Sequence, residues 1–168
     1  MKKIVLISAL IAAVSIGSIA CAAPNKNPQA GDLKANVNYG FDQKEGSRGA
    51  HSRFSGGDIT YTINDKVDLQ YVNNYTKGDD GDKLNEHYLQ GVYRFNPYVS
   101  AYGGMSYVKA DTYRDQHFYG YQVGLKGQIP IGERWQGFAS VGVGDDVNSY
   151  SVGVGYDITK DWDAHIMY

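Results

Sequence analysis

The sequence predicts an all-β protein: an antiparallel up-and-down transmembrane β-barrel of about 8–10 strands, after a cleaved N-terminal signal peptide. Three observations predict it. Apolar residues alternate with small or polar ones, the alternating segments are about ten residues long, and short and long connections follow each other in turn. The clearest example is Trp135–Ile158, where two alternating arms flank a polar turn. A tilted strand needs about that length to cross a bilayer.

Each alternating segment has two chemically different faces. In the hairpin Trp135–Ile158 one face carries Val141, Val152 and Val154, and the other carries Ser140, Ser151 and Gly153. Small polar side chains suit a crowded wet interior, and Tyr and Trp near strand ends are typical of the aromatic girdles of a membrane barrel. We therefore expect the apolar face to contact lipid. A soluble ligand-binding barrel, with that face inside, is the alternative.

The N-terminus has the features of a secretory signal. Residues 1–3 are basic at two positions, and Ile4–Ile16 is an apolar run too short for a spanning helix. Ala20 and Ala22 form an A-x-A cleavage site around Cys21, the only cysteine. The predicted division is a signal peptide at 1–22, a flexible lead-in at 23–32 and the barrel at 33–168. Lipidation of Cys21 is the alternative, because the preceding residues are similar to a lipoprotein box.

Composition narrows the function classes. The net charge is −2 and no basic run is present, so a nucleic-acid partner is not indicated. The mean hydropathy is −0.43, which a barrel tolerates because only every second strand residue meets lipid. The chain contains 21 glycines and 15 tyrosines, a load that fits a glycine-lined interior and tyrosine-rich interfaces.

The alternation predicts nine strands, with polar loops at Gln43–Ser52, Thr76–Asn85 and Ala110–Gln116 and with shorter turns between the other strands. The face of the fifth strand is ambiguous, because Tyr102 and Val108 compete with Met105. The fourth strand is also less regular than the others. The predicted strands are Leu33–Asp42, Arg53–Ile63, Val67–Tyr75, Glu86–Phe95, Tyr98–Lys109, His117–Ile129, Trp135–Gly144, Ser149–Ile158 and Trp162–Tyr168.

Strand–turn–strand units such as Tyr61–Tyr71, Tyr93–Tyr102 and Gly155–Trp162 give the chain a family resemblance. From Leu33 to Tyr168 it resembles small bacterial outer-membrane β-barrel proteins, the OmpA-like and porin-like barrel domains. The resemblance implies an outer-membrane location in a Gram-negative envelope, with lipid and the barrel assembly machinery as partners. It implies a structural or surface-contact role without catalysis or cofactor. A narrow porin-like channel for small solutes is the alternative, and loops that contact extracellular ligands are compatible with either.

The odd strand count conflicts with that family, whose single-chain barrels have an even number. Nine strands leave Tyr168 at the end of a strand that runs outward, whereas the family ends on an inward-running strand with a terminal aromatic residue. The simplest explanation is a fragment that lacks the last strand of a ten-stranded barrel. The competing explanation is one wrongly assigned segment in an eight-stranded barrel.

Two sets of residues are candidates for functional positions. The first is a set of charged side chains expected inside the barrel, either as a plug that satisfies its own charges or as a polar path for solutes. Its members are Lys34, Asp58, Asp68, Arg94, Lys126, Asp157 and His165. The second is the expected aromatic girdle. Its members are Tyr39, Phe41, Tyr61, Tyr71, Tyr75, Trp135, Tyr150, Tyr156 and Trp162.

Catalytic and metal chemistry is weakly indicated. An outer-membrane protease of the omptin type needs acidic and histidine residues at the rim, and several lie in or near predicted loops. They are His51, Asp79, Asp80, Asp82, His87, Asp115 and His117. No omptin motif accompanies them, and Gly78–Asp82 lacks the ligand spacing of a calcium-binding EF-hand loop. The sequence therefore predicts no catalytic, cofactor or metal site.

Overall fold

A computed structural model of the chain describes residues 28–45, 50–78, 81–111, 115–145, 148–157 and 163–167. Within these residues the protein is all-β, and no helix there is long and apolar enough to span a membrane. The described part contains nine strands. They are β1 (Leu33–Glu45), β2 (Ala50–Asn64), β3 (Val67–Gly78), β4 (Lys83–Asn96), β5 (Val99–Asp111), β6 (Asp115–Pro130), β7 (Trp135–Gly144), β8 (Asn148–Asp157) and β9 (Asp163–Met167).

The strands form one antiparallel sheet in chain order, so each strand pairs with its neighbours in sequence. Short turns make this topology possible. In the β2–β3 turn the Lys66 amide donates to Asn64 Oδ1 at 2.9 Å. In the β4–β5 turn Asn96 Oδ1 accepts from the amides of Tyr98 and Val99, at 2.8 and 2.9 Å. Asparagine at these positions replaces a backbone acceptor and closes the turn locally.

The sheet is strongly curled, as an open half-barrel. Lys126 on β6 donates from Nζ to Gln70 Oε1 on β3 at 2.7 Å. Strands three places apart would lie about 14 Å apart in a flat sheet, so the contact requires curvature. Gly104, Gly124 and Gly144 share the concave face with these side chains. Small residues there reduce crowding where side chains converge.

Apolar side chains cover the convex face. Val141 is 56% exposed and Val152 and Val154 are exposed as well, whereas Ser140 and Ser151 are buried. The predicted outward direction of the apolar face is therefore confirmed in this hairpin. The same arrangement holds in the preceding strands. Their exposed large hydrophobic residues include Leu33, Val37, Ile59, Tyr61, Leu69, Tyr71, Leu89, Tyr93, Val99, Met105, Tyr121, Val123 and Leu125.

The two ambiguous strands have defined faces. On β5 Met105 is 68% exposed, while Tyr102 is only 4% exposed and Val108 is buried with it. On β4 Leu89 is exposed and Gln90 is buried. Pairing decides the matter, because Tyr102 lies opposite Val92 on β4 and Gly124 on β6, both on the concave face. Large apolar or aromatic side chains therefore occur on both faces of these strands, as Met105 and Tyr102 show.

The predicted bounds of all three loops are wrong. Strand β1 continues to Glu45 and β2 begins at Ala50, inside the loop expected at Gln43–Ser52. Likewise β3 continues to Gly78 and β4 begins at Lys83, inside the loop expected at Thr76–Asn85. Strand β5 continues to Asp111 and β6 begins at Asp115, inside the loop expected at Ala110–Gln116. Apolar alternation stops before pairing stops, because the ladder is made by backbone hydrogen bonds that polar residues form equally well.

Several sequence predictions fall on positions that the structure does not describe. Those outside the described residues are the signal peptide with Ala20, Cys21 and Ala22, together with Asp79, Asp80, Trp162 and Tyr168. For six further positions only the backbone is described: Tyr39, Phe41, His51, Asp115, Asp157 and His165. In the backbone, His165 pairs with Gly155 and Asp163 pairs with Asp157.

Candidate functional site: the concave polar face

A buried carboxylate lies at the centre of the concave face. Asp58 on β2 is 3% exposed. Asn36 Nδ2 on β1 donates to both of its oxygens at 3.2 and 3.1 Å. Gln70 Nε2 and Thr60 Oγ1 each donate to Oδ2 at 3.3 Å. Three neighbouring side chains therefore replace the water that burial removes from this group.

A lysine lies across the concavity from that carboxylate. Lys126 on β6 is 8% exposed. Its Nζ donates to Gln70 Oε1 and lies 4.8 Å from the centroid of the Tyr102 ring, within cation–π range. The Gln70 amide thus accepts from Lys126 and donates to Asp58. This Lys126–Gln70–Asp58 relay couples two opposite charges on strands that are four places apart.

A second charged pair lies at the end of the sheet that carries the short turns. Arg94 Nη1 on β4 donates to Asp68 Oδ2 on β3, and both side chains are largely buried. The same guanidinium donates to two turn carbonyls, Asp65 O at 3.2 Å and Asn64 O at 3.0 Å. Arg94 therefore neutralises a buried acid and holds the β2–β3 turn against β4.

Neutral polar groups continue the network across the sheet. Gln90 Nε2 donates to Gln122 Oε1 at 3.5 Å, and Gln122 Nε2 donates to the Tyr102 hydroxyl at 3.1 Å. Further along, the Ser140 and Ser151 hydroxyls are 2.9 Å apart. Together with the relay, these contacts fill the middle of the concave face with hydrogen-bonded side chains.

The concave face contains an apolar cluster toward the long connections, which the sequence did not predict. Leu84, Val108 and Ala110 are buried there, and Phe118 packs against them. Parity along the strand could have predicted this burial. Leu84 is an even number of residues from Gln90 on β4, and both therefore lie on the same face. We expected a glycine-rich polar interior throughout, but this end of it also contains a hydrophobic cluster, beside the buried Thr76 and Glu86.

The predicted interior charges fall into two groups. Asp58 and Lys126 join through Gln70, while Asp68 pairs with Arg94. Lys34 is half-buried on β1 and lies opposite Thr60. The side chains of Asp157 and His165 are outside the described part of the chain. Gln70 and Tyr102, which connect the central group, were not among the predicted site residues.

The predicted girdle residues with described side chains lie on the convex face. Tyr61, Tyr71, Trp135 and Tyr150 are exposed, and Tyr75 and Tyr156 are half-buried. Trp135 lies opposite Tyr156 with ring centroids 4.9 Å apart. These two residues lie near the short turns, and Tyr75 lies near the long connections.

Two of the histidines that could serve in catalysis, His87 and His117, face outward. His87 Nδ1 lies 2.8 Å from the Tyr71 hydroxyl, and His117 Nδ1 lies 2.8 Å from the Tyr107 hydroxyl. Their rings stack with these tyrosines on the convex face, away from the interior charges. Among the described residues no group of three His, Cys, Asp or Glu side chains could hold a metal ion.

The chain was compared with known protein families, curated proteins and solved structures. No protein-family model, no curated protein and no solved structure matches the chain at a significant level.

Proposed function

We propose that the chain is an integral outer-membrane β-barrel protein with a structural or surface-contact role and no catalytic activity. The observation that carries the proposal is the exposure pattern. Large hydrophobic side chains of β1 to β8 are exposed on the convex face, while charged and amide side chains are buried on the concave face. Soluble monomers rarely expose a continuous apolar surface beyond a few hundred Å². Acyl chains are the partner that such a surface suits.

The height of the apolar surface supports the same partner. On β6 it extends from Tyr119 to Ile129, both exposed. At about 3.3 Å per residue and a tilt of about 40°, this stretch covers about 25 Å along the membrane normal. Outer-membrane barrels have an apolar band of about that height.

A spanning sheet must also have no free edge in lipid, because unpaired backbone groups there cost several kcal/mol each, to order of magnitude. The proposal therefore requires the edge of β1 to be paired in the membrane, by the last strand of the barrel. The signal peptide predicted at residues 1–22 and recognition by the barrel assembly machinery belong to the same proposal, since they would deliver the chain to that membrane.

The soluble ligand-binding barrel is disfavoured by the same exposures. Such a barrel would bury Val141 and Val152 around its ligand and expose Ser140 and Ser151, and the observed burial is the reverse. An omptin-like activity has no support from the described residues, because His87 and His117 lie on the apolar side.

Heat modifiability tests the membrane assignment. We expect protein from the outer-membrane fraction to migrate differently in a denaturing gel before and after boiling, because a folded barrel resists the detergent. A soluble, monodisperse protein in the periplasm with unchanged migration would contradict the proposal.

Conductance in planar bilayers separates the structural role from the channel. Lys126, Gln70 and Tyr102 meet across the interior, so we expect negligible conductance. Discrete, salt-dependent steps that change when Arg94 or Lys126 is neutralised would establish the narrow channel instead.

A further inference from the structure

We propose that the convex face binds the phosphate groups of an anionic lipid at its end near the long connections. The site is a basic strip formed by Arg53, Lys77, Lys83, Lys109 and His117 on five successive strands, β2 to β6. This inference rests on the proposed function and names a lipid class that the barrel would select.

Strand register places the members of the basic strip in two adjacent rows of the convex face. Arg53 lies opposite Lys77, and Lys77 lies opposite Lys83. Lys109 lies opposite His117 on the next pair of strands. All five follow the odd-numbered parity of the exposed apolar residues, and each is exposed or half-exposed. Neighbouring strands are about 4.8 Å apart, so one phosphate group can reach two or three of these cations.

The arrangement of these cations is unfavourable without an anion. Like charges directly opposite each other destabilise a strand pair, and here three cations lie in one row. Within the described residues the side chains of Arg53, Lys77 and Lys83 form no hydrogen bond or ion pair. Asp111 on β5 lies opposite Lys83, and Asp115 on β6 follows in the same row, so the row contains three basic and two acidic residues. The row therefore keeps an excess of positive charge, which a bound phosphate would neutralise.

The basic strip borders a row of amphipathic rings. Tyr71, His87, Tyr107 and His117 stack in sequence, with centroid distances of 6.2, 5.8 and 5.9 Å. Aromatic rings with a polar group favour the boundary between acyl chains and headgroups. Along β4, Lys83 lies about 13 Å beyond His87, or about 10 Å along the normal of a tilted strand. The headgroup region lies beyond the ring row, on the side of Lys83, and flexible lysine side chains can orient their ammonium groups within it.

The basic strip is confined to one part of one end. Strand β7 does not reach the level of the strip, because it ends at Gly144, which lies opposite Gln122 on β6 and thus five residues short of His117. Strand β8 begins its pairing with β7 at Asn148, opposite Val143. At the opposite end the outward strand positions are apolar, as at Phe95 and Ile129. A general attraction to any membrane surface would not need this asymmetry. It indicates a local site facing the leaflet at the long-connection end.

Lipid binding to the full chain in an uncharged maltoside detergent tests the site. Retention of phosphatidic acid and of phosphatidylcholine is measured by native mass spectrometry for the wild type and for Arg53→Gln/Lys77→Gln/Lys83→Gln/Lys109→Gln. We expect the wild type to prefer phosphatidic acid and the quadruple variant to bind it at least tenfold more weakly. The matched control, Lys66→Gln/Arg134→Gln, neutralises two exposed cations at the short-turn end and should bind like the wild type.

Two further arms make the result decisive. Inorganic phosphate at the same concentration should not displace the lipid, and displacement would mean a free-phosphate site and overturn the proposal. Equal affinity of the quadruple variant would overturn it as well. Lys77→Gln/Lys83→Gln repeats the test with fewer changes if the quadruple variant does not fold. Heat modifiability of the same samples distinguishes failure of the lipid site from failure of the membrane-barrel proposal. A heat-modifiable, folded barrel without lipid selectivity contradicts the lipid site alone.

Discussion

At the scale of single residues, the central carboxylate depends on a distant cation. Asp58 receives hydrogen bonds from three neutral side chains, but its opposite charge comes from Lys126 through Gln70. Replacing Lys126 with Met keeps much of the volume and removes the charge. We expect a loss of about 3 kcal/mol in the free energy of unfolding, because a buried charge then lacks compensation. Urea titration of the protein in lipid vesicles, followed by tryptophan fluorescence, measures it.

The control for that experiment is the double variant Lys126→Met/Asp58→Asn. Removing both charges should recover a large part of the lost stability, because neither buried charge is then left alone. The single variant Asp58→Asn completes the comparison. If the loss of stability in the double variant equals the sum of the losses in Lys126→Met and Asp58→Asn, the two charges do not interact through Gln70.

A single glycine determines how Tyr102 packs. A Cβ at Gly124 would lie 2.5 Å from Tyr102 ring atoms, and it would also meet the β7 backbone. We expect Gly124→Ala to lower the free energy of unfolding by about 1–3 kcal/mol through overpacking. Gly127 lies on the same strand, and a Cβ there would have no neighbour closer than 3.8 Å. Gly127→Ala is therefore the matched control and should be neutral or slightly stabilising; equal losses would contradict the packing explanation.

At the scale of strands and turns, Arg94 connects an interior charge to a connection. It donates to Asp68 and to the carbonyls of Asn64 and Asp65. In Arg94→Met we expect amide exchange of Lys66 and Val67 to accelerate at least tenfold, because the turn loses two of its donors. Arg134→Met removes an exposed cation from the β6–β7 turn and should leave these amides unchanged. Unchanged exchange in Arg94→Met would show that the turn is held by its own asparagine.

Sequence alternation predicted the strands well where apolar residues recur at every second position. It could not predict where they end, because Lys77 and Lys83 pair through their backbones beyond the apolar region. It also left Tyr102 unassigned, since a tyrosine suits either a lipid interface or a hydrogen-bonded interior. The inward direction of Asp58, Gln70 and Lys126 was predictable from parity, whereas the contact between Gln70 and Lys126 depends on curvature that alternation does not encode.

At the scale of the whole molecule, the decisive question is what covers the convex face. Val141 and Ile131 are similarly exposed, at 56% and 61%. In water, arginine at either position would cost little, since neither side chain is buried by protein. In a membrane the cost depends on depth, about 2–4 kcal/mol at the midplane and about 0–1 kcal/mol near an interface.

Val141 lies within the apolar band, and Ile131 lies in the β6–β7 turn at its edge. We therefore expect Val141→Arg to reduce the free energy of folding into phosphatidylcholine vesicles by about 2 kcal/mol or more, and Ile131→Arg by less than about 1 kcal/mol. The measurement is a reversible urea titration in those vesicles. Equal small effects would mean that both positions face water, and the membrane assignment would fail. Because the two sites match in exposure, burial within the protein cannot produce the expected difference.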